Sequence, residues 1–281
     1  MTNMFFMRFP GGLGKAFTLS YDDNVQQDVR LMEVLDRHGL KCTFNLNSGK
    51  YAPEGKVYEE GRVHRPMSRS EVTAAYAQSG HEVAVHAYTH PFLEQLPDSL
   101  VVYEIIKDRE ALEEQFGRIV RGMAYPYGTY SDAVVEDLRR CGIVYARTTK
   151  ATKKFSVPTD WLRLHPTCHH DDPEVMELCD RFTEMKVKQA PQLFYLWGHS
   201  YEFEGKNNWE HMEEIAARMG GHEDIWYATN MEIYEYVEAY RQLVLSADGT
   251  LAYNPTAKTV WLEREKTVYR IDPGQTCRIR A

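Results

Sequence analysis

The segment FTLSYDD, residues 17–23, sets the pattern for the chain. Residues 17–21 combine aromatic, β-branched and apolar side chains in a short run typical of a strand, and two carboxylates follow at once. Residues 28–38, DVRLMEVLDRH, then place apolar residues at helical spacing and stop before Gly39, a common helix terminator. A strand, a polar strand end and a helix are therefore predicted in this order.

The same alternation continues along most of the chain and gives about seven β/α units. Two helix starts carry capping boxes, Ser68 with Glu71 and Thr229 with Glu232. An α/β protein with a mostly parallel sheet, either open or closed into a barrel, is predicted. Strands are predicted at 17–21, 41–46, 81–86, 121–125, 143–147, 162–164 and 192–197, and helices at 28–38, 68–79, 98–116, 131–141, 173–185, 208–219 and 231–245.

The character of the sequence changes after residue 245. Three short strand-like segments, 259–263, 267–271 and 276–279, are separated by turn signals and carry no residues with obvious chemistry. We predict a main catalytic domain over residues 1–245 and a small β-rich appendage over 246–281, whose expected role is to cap the main domain.

Composition narrows the classes of function. The 281 residues include 33 Lys+Arg and 41 Asp+Glu, so the net charge is 33 − 41 = −8, and 43% of residues are hydrophobic. These values are ordinary for a globular protein, and the acidic balance argues against a protein that coats nucleic acid. There is no long apolar run for a membrane helix and no secretory signal pattern, so a cytoplasmic protein is expected. The five cysteines are widely spaced, without a CxxC, and are expected to be reduced.

Polar side chains follow several predicted strands, where parallel α/β folds place their sites. Asp22 and Asp23 follow the first strand and are candidates for a base and a metal ligand, or simply for the capped start of a helix. His86 and His90 are four residues apart and converge on one metal ion if the chain turns helically there; the alternative is two unrelated surface histidines.

Two further strand ends carry candidate groups. Tyr125-Pro126-Tyr127-Gly128 is a rigid turn that is able to aim a backbone N–H into a pocket, as an oxyanion hole requires, although a plain turn explains it equally well. His199 ends the strand at 192–197 and is placed for acid–base work, the alternative being a hydrogen-bonded core histidine.

The combination of these groups points to hydrolysis of an amide. Asp23, His86 and His90 would hold Zn²⁺ or a similar divalent ion with open positions, and a bound water would have its pKa lowered toward ~7. Asp22 would take the proton of that water, and His199 would protonate the departing amine.

In this order, the clusters resemble the motifs of the polysaccharide deacetylases, the NodB-homology carbohydrate esterases (family 4). The family's Thr-Phe-Asp-Asp resembles residues 20–23, SYDD, and its His-Ser/Thr-x-x-His resembles 86–90, HAYTH. Its Arg-x-Pro-Tyr-Gly resembles 124–128, AYPYG, and its Leu-x-His resembles 197–199, WGH. The resemblance covers roughly residues 17–199.

The resemblance implies a distorted (β/α) barrel that hydrolyses an N- or O-acetyl group on a sugar. It implies Asp22 as general base, His199 as general acid and the backbone N–H of Tyr127 in the oxyanion hole. It also implies that Asp23, His86 and His90 hold the metal, zinc first, with cobalt, nickel or manganese as alternatives.

One departure from the family concerns its motif arginine, which orients the base aspartate and is replaced here by Ala124. We predict that Arg163 substitutes, because it lies on the predicted strand 162–164. Residues expected to contact substrate are Tyr125, Pro126, Trp197, Arg163 and His165. His169 and His170 are expected to line the same pocket rather than bind metal, since three ligands already suffice.

Several alternatives stay open from sequence alone. The scaffold also suits an amidohydrolase that acts on a small acylamide or a cyclic amide, or a catalytically inert carbohydrate-binding relative. Two histidines and one carboxylate are also the ligands of non-haem iron oxygenases, although that chemistry requires neither a second aspartate nor His199. The expected partner is an acetylated sugar or small acylated amine, with no nucleic acid or membrane; a homo-oligomer is left open.

Overall fold

The structure is a computed structural model that describes residues 5–280. Its strands are β1 Phe5–Arg8, β2 Lys15–Asp22, β3 Cys42–Leu46, β4 Glu82–Val85, β5 Gly122–Ala124, β6 Tyr145–Arg147, β7 Cys168–His169, β8 Gln192–Gly198, β9 Ile225–Tyr227, β10 Val244–Leu245, β11 Leu251–Tyr253, β12 Val260–Arg264, β13 Thr267–Ile271 and β14 Thr276–Arg278. Its α-helices are α1 Gln27–Arg37, α2 Arg69–Tyr76, α3 Asp98–Phe116, α4 Asp132–Arg140, α5 Val175–Glu184, α6 Tyr201–Gly205, α7 Trp209–Met219 and α8 Asn230–Arg241.

The main sheet is parallel and has the order β6-β5-β4-β3-β2-β8-β7, with β9 beside the first half of β2. All eight residues of β2 are buried, as expected of a central strand covered on both faces. The predicted parallel sheet is confirmed. Because the strands run the same way, the ends of β2, β4, β5 and β8 that carry the candidate residues come together.

The segment 164–169 closes this sheet into a distorted barrel. At one end, Leu164 N–H donates to the carbonyl of Ala146, which lies in β6. At the other end, Thr167 N–H donates to the carbonyl of Tyr195, which lies in β8. The expected distorted barrel is therefore confirmed. The strand predicted at 162–164 is wrong, because Trp161–Arg163 forms a single 3₁₀ turn.

The small strands outside the barrel involve both ends of the chain. β12 pairs with β13 and with the N-terminal strand β1, all antiparallel, while β10, β11 and β14 form a second three-stranded sheet. The predicted helix 231–245 ends earlier, at Arg241, and Val244–Leu245 is β10. The domain boundary at 245/246 stays a prediction.

Several local sequence signals are found where they were expected. Both capping boxes form, with Ser68 and Thr229 accepting from the backbone of Glu71 and Glu232. The five cysteines are unpaired, and four of them are buried. Within residues 5–280 no helix combines the length and apolar character that crossing a bilayer requires.

Candidate metal centre and active site

Asp22 and Asp23 lie where β2 ends. Asp22 is its last residue, and Asp23 adopts a left-handed backbone conformation with φ 84°. This sharp turn separates the two carboxylates. Asn45 in β3 donates to Asp22 Oδ1 over 2.8 Å, so the neighbouring strand fixes the orientation of that carboxylate.

His86 follows β4, and two left-handed residues, Ala87 with φ 61° and His90 with φ 58°, bend the chain so that the imidazoles approach. Their ring centroids are 4.7 Å apart. Asp23 Oδ1 lies 3.8 Å from Nε2 of His86 and 3.8 Å from Nε2 of His90. The three ligand atoms all lie within 4.8 Å of one another, as predicted from the sequence.

The chemistry of these three side chains fits a divalent cation. His86 Nδ1 lies 2.8 Å from the carbonyl of Ala124; a carbonyl only accepts, so Nδ1 donates and Nε2 is the nitrogen that faces Asp23. Burial and the nearby His86 ring lower the pKa of His90 to about 4, so that His90 is neutral near pH 7. Two imidazoles and one carboxylate are a common set for an open zinc site.

The cation beside Asp22 is Arg147, which the sequence analysis missed. Arg147 is the last residue of β6, its side chain is fully buried, and its Nη2 donates to Asp22 Oδ2. Its guanidinium carbon lies 4.5 Å from the ring centroid of Trp197. Burial alone would raise the pKa of Asp22, but the charges of Arg147, His86 and His199 outweigh burial and lower it. The Asp22 carboxylate is therefore ionised at neutral pH.

The prediction that Arg163 takes the place of the motif arginine is wrong. Arg163 forms ion pairs with Asp160 at 2.8 Å and Asp132 at 2.6 Å, in neither case with Asp22. It lies in the 3₁₀ turn beyond β6, whereas Arg147 is the direct parallel neighbour of Ala124. The arginine has moved to the adjacent strand of the sheet.

His199 follows β8, and its Nε2 lies 3.8 Å from Asp22 Oδ2. Its other ring nitrogen, Nδ1, lies 3.4 Å from Glu202 Oε1 in α6. Burial alone would lower the pKa of His199, but Glu202 and the charges of Asp22 and Asp23 outweigh burial and raise it. The proton that a general acid needs is therefore retained by this environment.

Tyr127 lies in the turn after β5 with φ 58°. Two hydrogen bonds close this turn, from Gly128 N–H and Thr129 N–H, and neither uses the N–H of Tyr127. The Tyr127 ring is 51% exposed and stacks on Phe92 with ring centroids 3.8 Å apart. A cavity of about 220 Å³ lies beside it, lined by Asp23, Asn47, Lys50, His64, Pro66, His90 and Tyr127.

The other residues expected to contact substrate are placed differently. Tyr125 is buried and donates from its hydroxyl to the carbonyl of Leu162, and Pro126 is buried as well. Trp197 is 9% exposed and packs against Arg147. His165, together with Arg163, lines a separate cavity of about 370 Å³ that contains none of the metal-cluster residues. Tyr125 and Pro126 thus support the turn, and Trp197 supports the arginine.

His64 and Glu202 also belong to the site, although the sequence analysis did not give them these positions. His64 Nε2 lies 3.7 Å from Asp23 Oδ2, from a loop that precedes α2. Glu202 lies three residues after His199, in the first turn of α6. This spacing was the one signal that could have revealed it, since such residues share a helix face.

A comparison with known families agrees with this geometry. The family model described as polysaccharide deacetylase matches residues 11–146, which carry the aspartates, the paired histidines and the turn around Tyr127. Over these 136 of its 281 residues, the chain is similar to the polysaccharide deacetylase family. Arg147 and His199 both lie beyond the matched region of this family model.

Relatives within the polysaccharide deacetylase family are distant. The peptidoglycan-N-acetylglucosamine deacetylase PgdA of Listeria monocytogenes is 26% identical over 126 residues, 44% of this chain and 24% of its own length. Chitin deacetylase 1 of Cryptococcus neoformans is 23% identical over 148 residues, 51% of this chain and 28% of its own length. The chain thus aligns with only about a quarter of the length of these relatives.

Solved structures share the fold. A family 4 carbohydrate esterase from Streptomyces lividans, in complex with acetate, aligns with a TM-score of 0.51 at 17% identity, covering 77% of this chain and 93% of its own. A Mycobacterium smegmatis protein assigned to the polysaccharide deacetylases aligns with a TM-score of 0.57 at 16% identity, covering 86% of this chain and 96% of its own. The barrel is therefore that of the family.

Proposed function

We propose that this chain is a divalent-cation-dependent deacetylase that hydrolyses N-acetyl groups on the sugars of a polysaccharide. The observation that carries the proposal is the meeting of Asp23, His86 and His90 beside Asp22 and His199. The two curated relatives support the substrate class, because one is a deacetylase of N-acetylglucosamine in peptidoglycan and the other a chitin deacetylase.

The residues around the cluster divide the reaction between them. Asp23, His86 and His90 would hold a divalent cation, which would supply Lewis acidity to the reaction. Asp22, kept ionised by Arg147, accepts the proton of the attacking water. His199, kept protonated, gives its proton to the nitrogen that leaves the acetyl carbon.

The turn after β5 serves the substrate. We assign the N–H of Tyr127 to the oxygen that becomes negative when the acetyl carbonyl is attacked. The exposed face formed by Tyr127 and Phe92 borders the same cavity, and stacked aromatic rings suit the apolar face of a sugar.

The test is release of acetate from N-acetylglucosamine oligomers and peptidoglycan fragments, with zinc or cobalt added and then removed by a chelator. Asp22→Asn should abolish release, while the protein still binds one equivalent of metal at the cluster. Asp98→Asn, an exposed aspartate at the start of α3, serves as the matched control and should retain activity.

Two results would contradict the proposal. If the metal-loaded protein bound the oligomers without releasing acetate, an inert carbohydrate-binding protein would be indicated. If it released acid from cyclic amides but not acetate from sugars, an amidohydrolase would be indicated.

A further inference from the structure

A second group of potential metal ligands lies behind His199, where β7 ends and α6 begins. We call it the rear cluster: His169, His170, Asp171 and Glu202. One ligand atom from each side chain lies within 4.8 Å of the others. None of these residues belongs to the cluster formed by Asp23 and its histidines.

The ring of His170 gives the clearest sign of a ligand. Its side chain is completely buried, and within the described residues Nε2 faces two carboxylate oxygens without a well-aligned hydrogen bond to either. That nitrogen lies 3.1 Å from Glu202 Oε2 and 3.3 Å from Asp171 Oδ2. The other ring nitrogen, Nδ1, lies 3.1 Å from the hydroxyl of Tyr21, whose oxygen is able to accept a hydrogen bond from Nδ1–H in the tautomer that leaves the lone pair on Nε2.

The backbone leaves room for this ring. A Cβ atom at Gly198, the last residue of β8, would lie 2.0 Å from His170 Nδ1, so that any side chain at this position would displace the histidine. His169 reaches the same point, with Nε2 3.1 Å from Glu202 Oε2. Two imidazoles thus converge on one carboxylate oxygen.

The charges in the rear cluster call for a cation. Two carboxylates face two imidazoles, and the ammonium of Lys206 is the cation paired with Asp171 Oδ2. The Lys206 side chain is 52% exposed, so it is able to swing into solvent. A divalent cation would neutralise both carboxylates and replace Lys206.

We propose that His169, His170, Asp171 and Glu202 form a second binding site for a divalent transition-metal ion, best matched to zinc by its two nitrogen and two oxygen ligands. Asp171 N–H donates to His169 Nδ1 over 3.2 Å, and this hydrogen bond is given up when the metal takes Nε2. Glu202 Oε1 faces His199, so the site shares one carboxylate with the proposed general acid.

The test counts zinc on the full chain by equilibrium dialysis and elemental analysis, with circular dichroism to confirm folding. Wild type should bind two zinc ions. Asp171→Asn should weaken the second by roughly tenfold or more. Asp172→Asn, the matched control whose carboxylate pairs with Lys153, should keep both. Lys206→Met should bind the second ion more tightly, because the competing ammonium is gone.

Asp23→Asn separates this proposal from the proposed function, since it should lose the first ion and keep the second. One zinc per wild-type chain, removed by Asp23→Asn, would overturn the rear site while leaving the deacetylase proposal intact. Equal affinities in Asp171→Asn and Asp172→Asn, or no tightening in Lys206→Met, would also overturn it.

Discussion

Arg147 is a completely buried cation whose hydrogen-bonding partner is Asp22. Arg147→Met should leave the Asp22 carboxylate buried without a counter-ion, and breaking such a pair costs roughly 3–5 kcal/mol. The pKa of Asp22 should rise, so that the acid limb of kcat/KM moves to higher pH. Chemical denaturation and a pH–rate profile measure the two effects, and an unchanged acid limb would contradict the assignment.

The register of the sheet suggests a way to rescue a protein that lacks Arg147. Ala124 in β5 and Arg147 in β6 are paired residues. The side chain of an arginine at position 124 would therefore begin on the strand next to that of Arg147. The double variant Ala124→Arg with Arg147→Ala should recover part of the activity that Arg147→Ala loses. The space left by the truncated side chain at position 147 would take the arginine side chain introduced at position 124. Acetate release compares the two proteins, and Arg163→Ala is the control that should behave as wild type.

Glu202 should set the upper pH limit of activity. His199 acts as an acid only while protonated, so activity falls as the pH rises through its pKa, which its surroundings raise. Glu202→Gln removes the anion, the pKa of His199 should fall, and the alkaline limb of kcat/KM should move to lower pH. Glu204→Gln, whose carboxylate pairs with Arg65, is the control. If the alkaline limb did not move in Glu202→Gln, Glu202 would not be what raises the pKa of His199.

At the scale of elements, α3 fixes the chain beside the metal ligands through one buried carboxylate. Asp108 accepts from Ser48 N–H and hydroxyl, at 2.7 and 2.6 Å, and from the N–H of His86 at 3.1 Å. Asp108→Asn would point an amide N–H₂ at a donor, which costs about 1–3 kcal/mol. The free energy of unfolding should fall by that amount and zinc affinity should weaken.

The exposed Glu110 on the same helix provides the comparison. Glu110→Gln should change neither quantity beyond about 0.5 kcal/mol. If the Asp108 and Glu110 variants behaved alike, the carboxylate would have no anchoring role.

The periodic elements were predictable from sequence because their signals are local. Helix 98–116 is found with the bounds Asp98–Phe116, and Ser68 caps α2 as predicted. The two-residue strand Cys168–His169 was missed, because it is defined by its pairing with β8 and has no period of its own. Residues 244–245 were predicted as the end of a helix because their apolar side chains continue the helical spacing. In the structure they pair with β11 and form a strand instead.

The residues of the candidate site also fall into two groups, those found from local sequence motifs and one that depends on strand pairing. Asp22, Asp23, His86, His90 and His199 were found because each follows a strand with a motif around it. Arg147 was missed because its position in the site depends on strand register. Only the parallel pairing of β5 with β6 shows that it lies beside Ala124. No spacing along the sequence carries that information.

At the scale of the whole molecule, metal and folding are linked. Because the unfolded chain lacks the assembled cluster, zinc should raise the midpoint of thermal unfolding, with about 2.7 kcal/mol gained at a hundredfold excess over Kd. His90→Gln should lose the part of this shift that comes from the ion at Asp23, His86 and His90 and keep the part that comes from the rear cluster, while a chelator should abolish the whole shift in wild type. His38→Gln, at the end of α1, should shift as wild type does. An equal shift in His90→Gln would place the stabilising ion elsewhere.

The pairing of β1 with β12 joins the first described residues of the chain to nearly the last. During synthesis, Phe5–Arg8 leaves the ribosome well before its partner Val260–Arg264, because the whole barrel lies between them in the sequence. Throughout that interval the nascent strand offers unpaired amides and two phenylalanines to any neighbour. This segment is thus made before the barrel but completes its pairing after it, and chaperone dependence in the cell should be concentrated there.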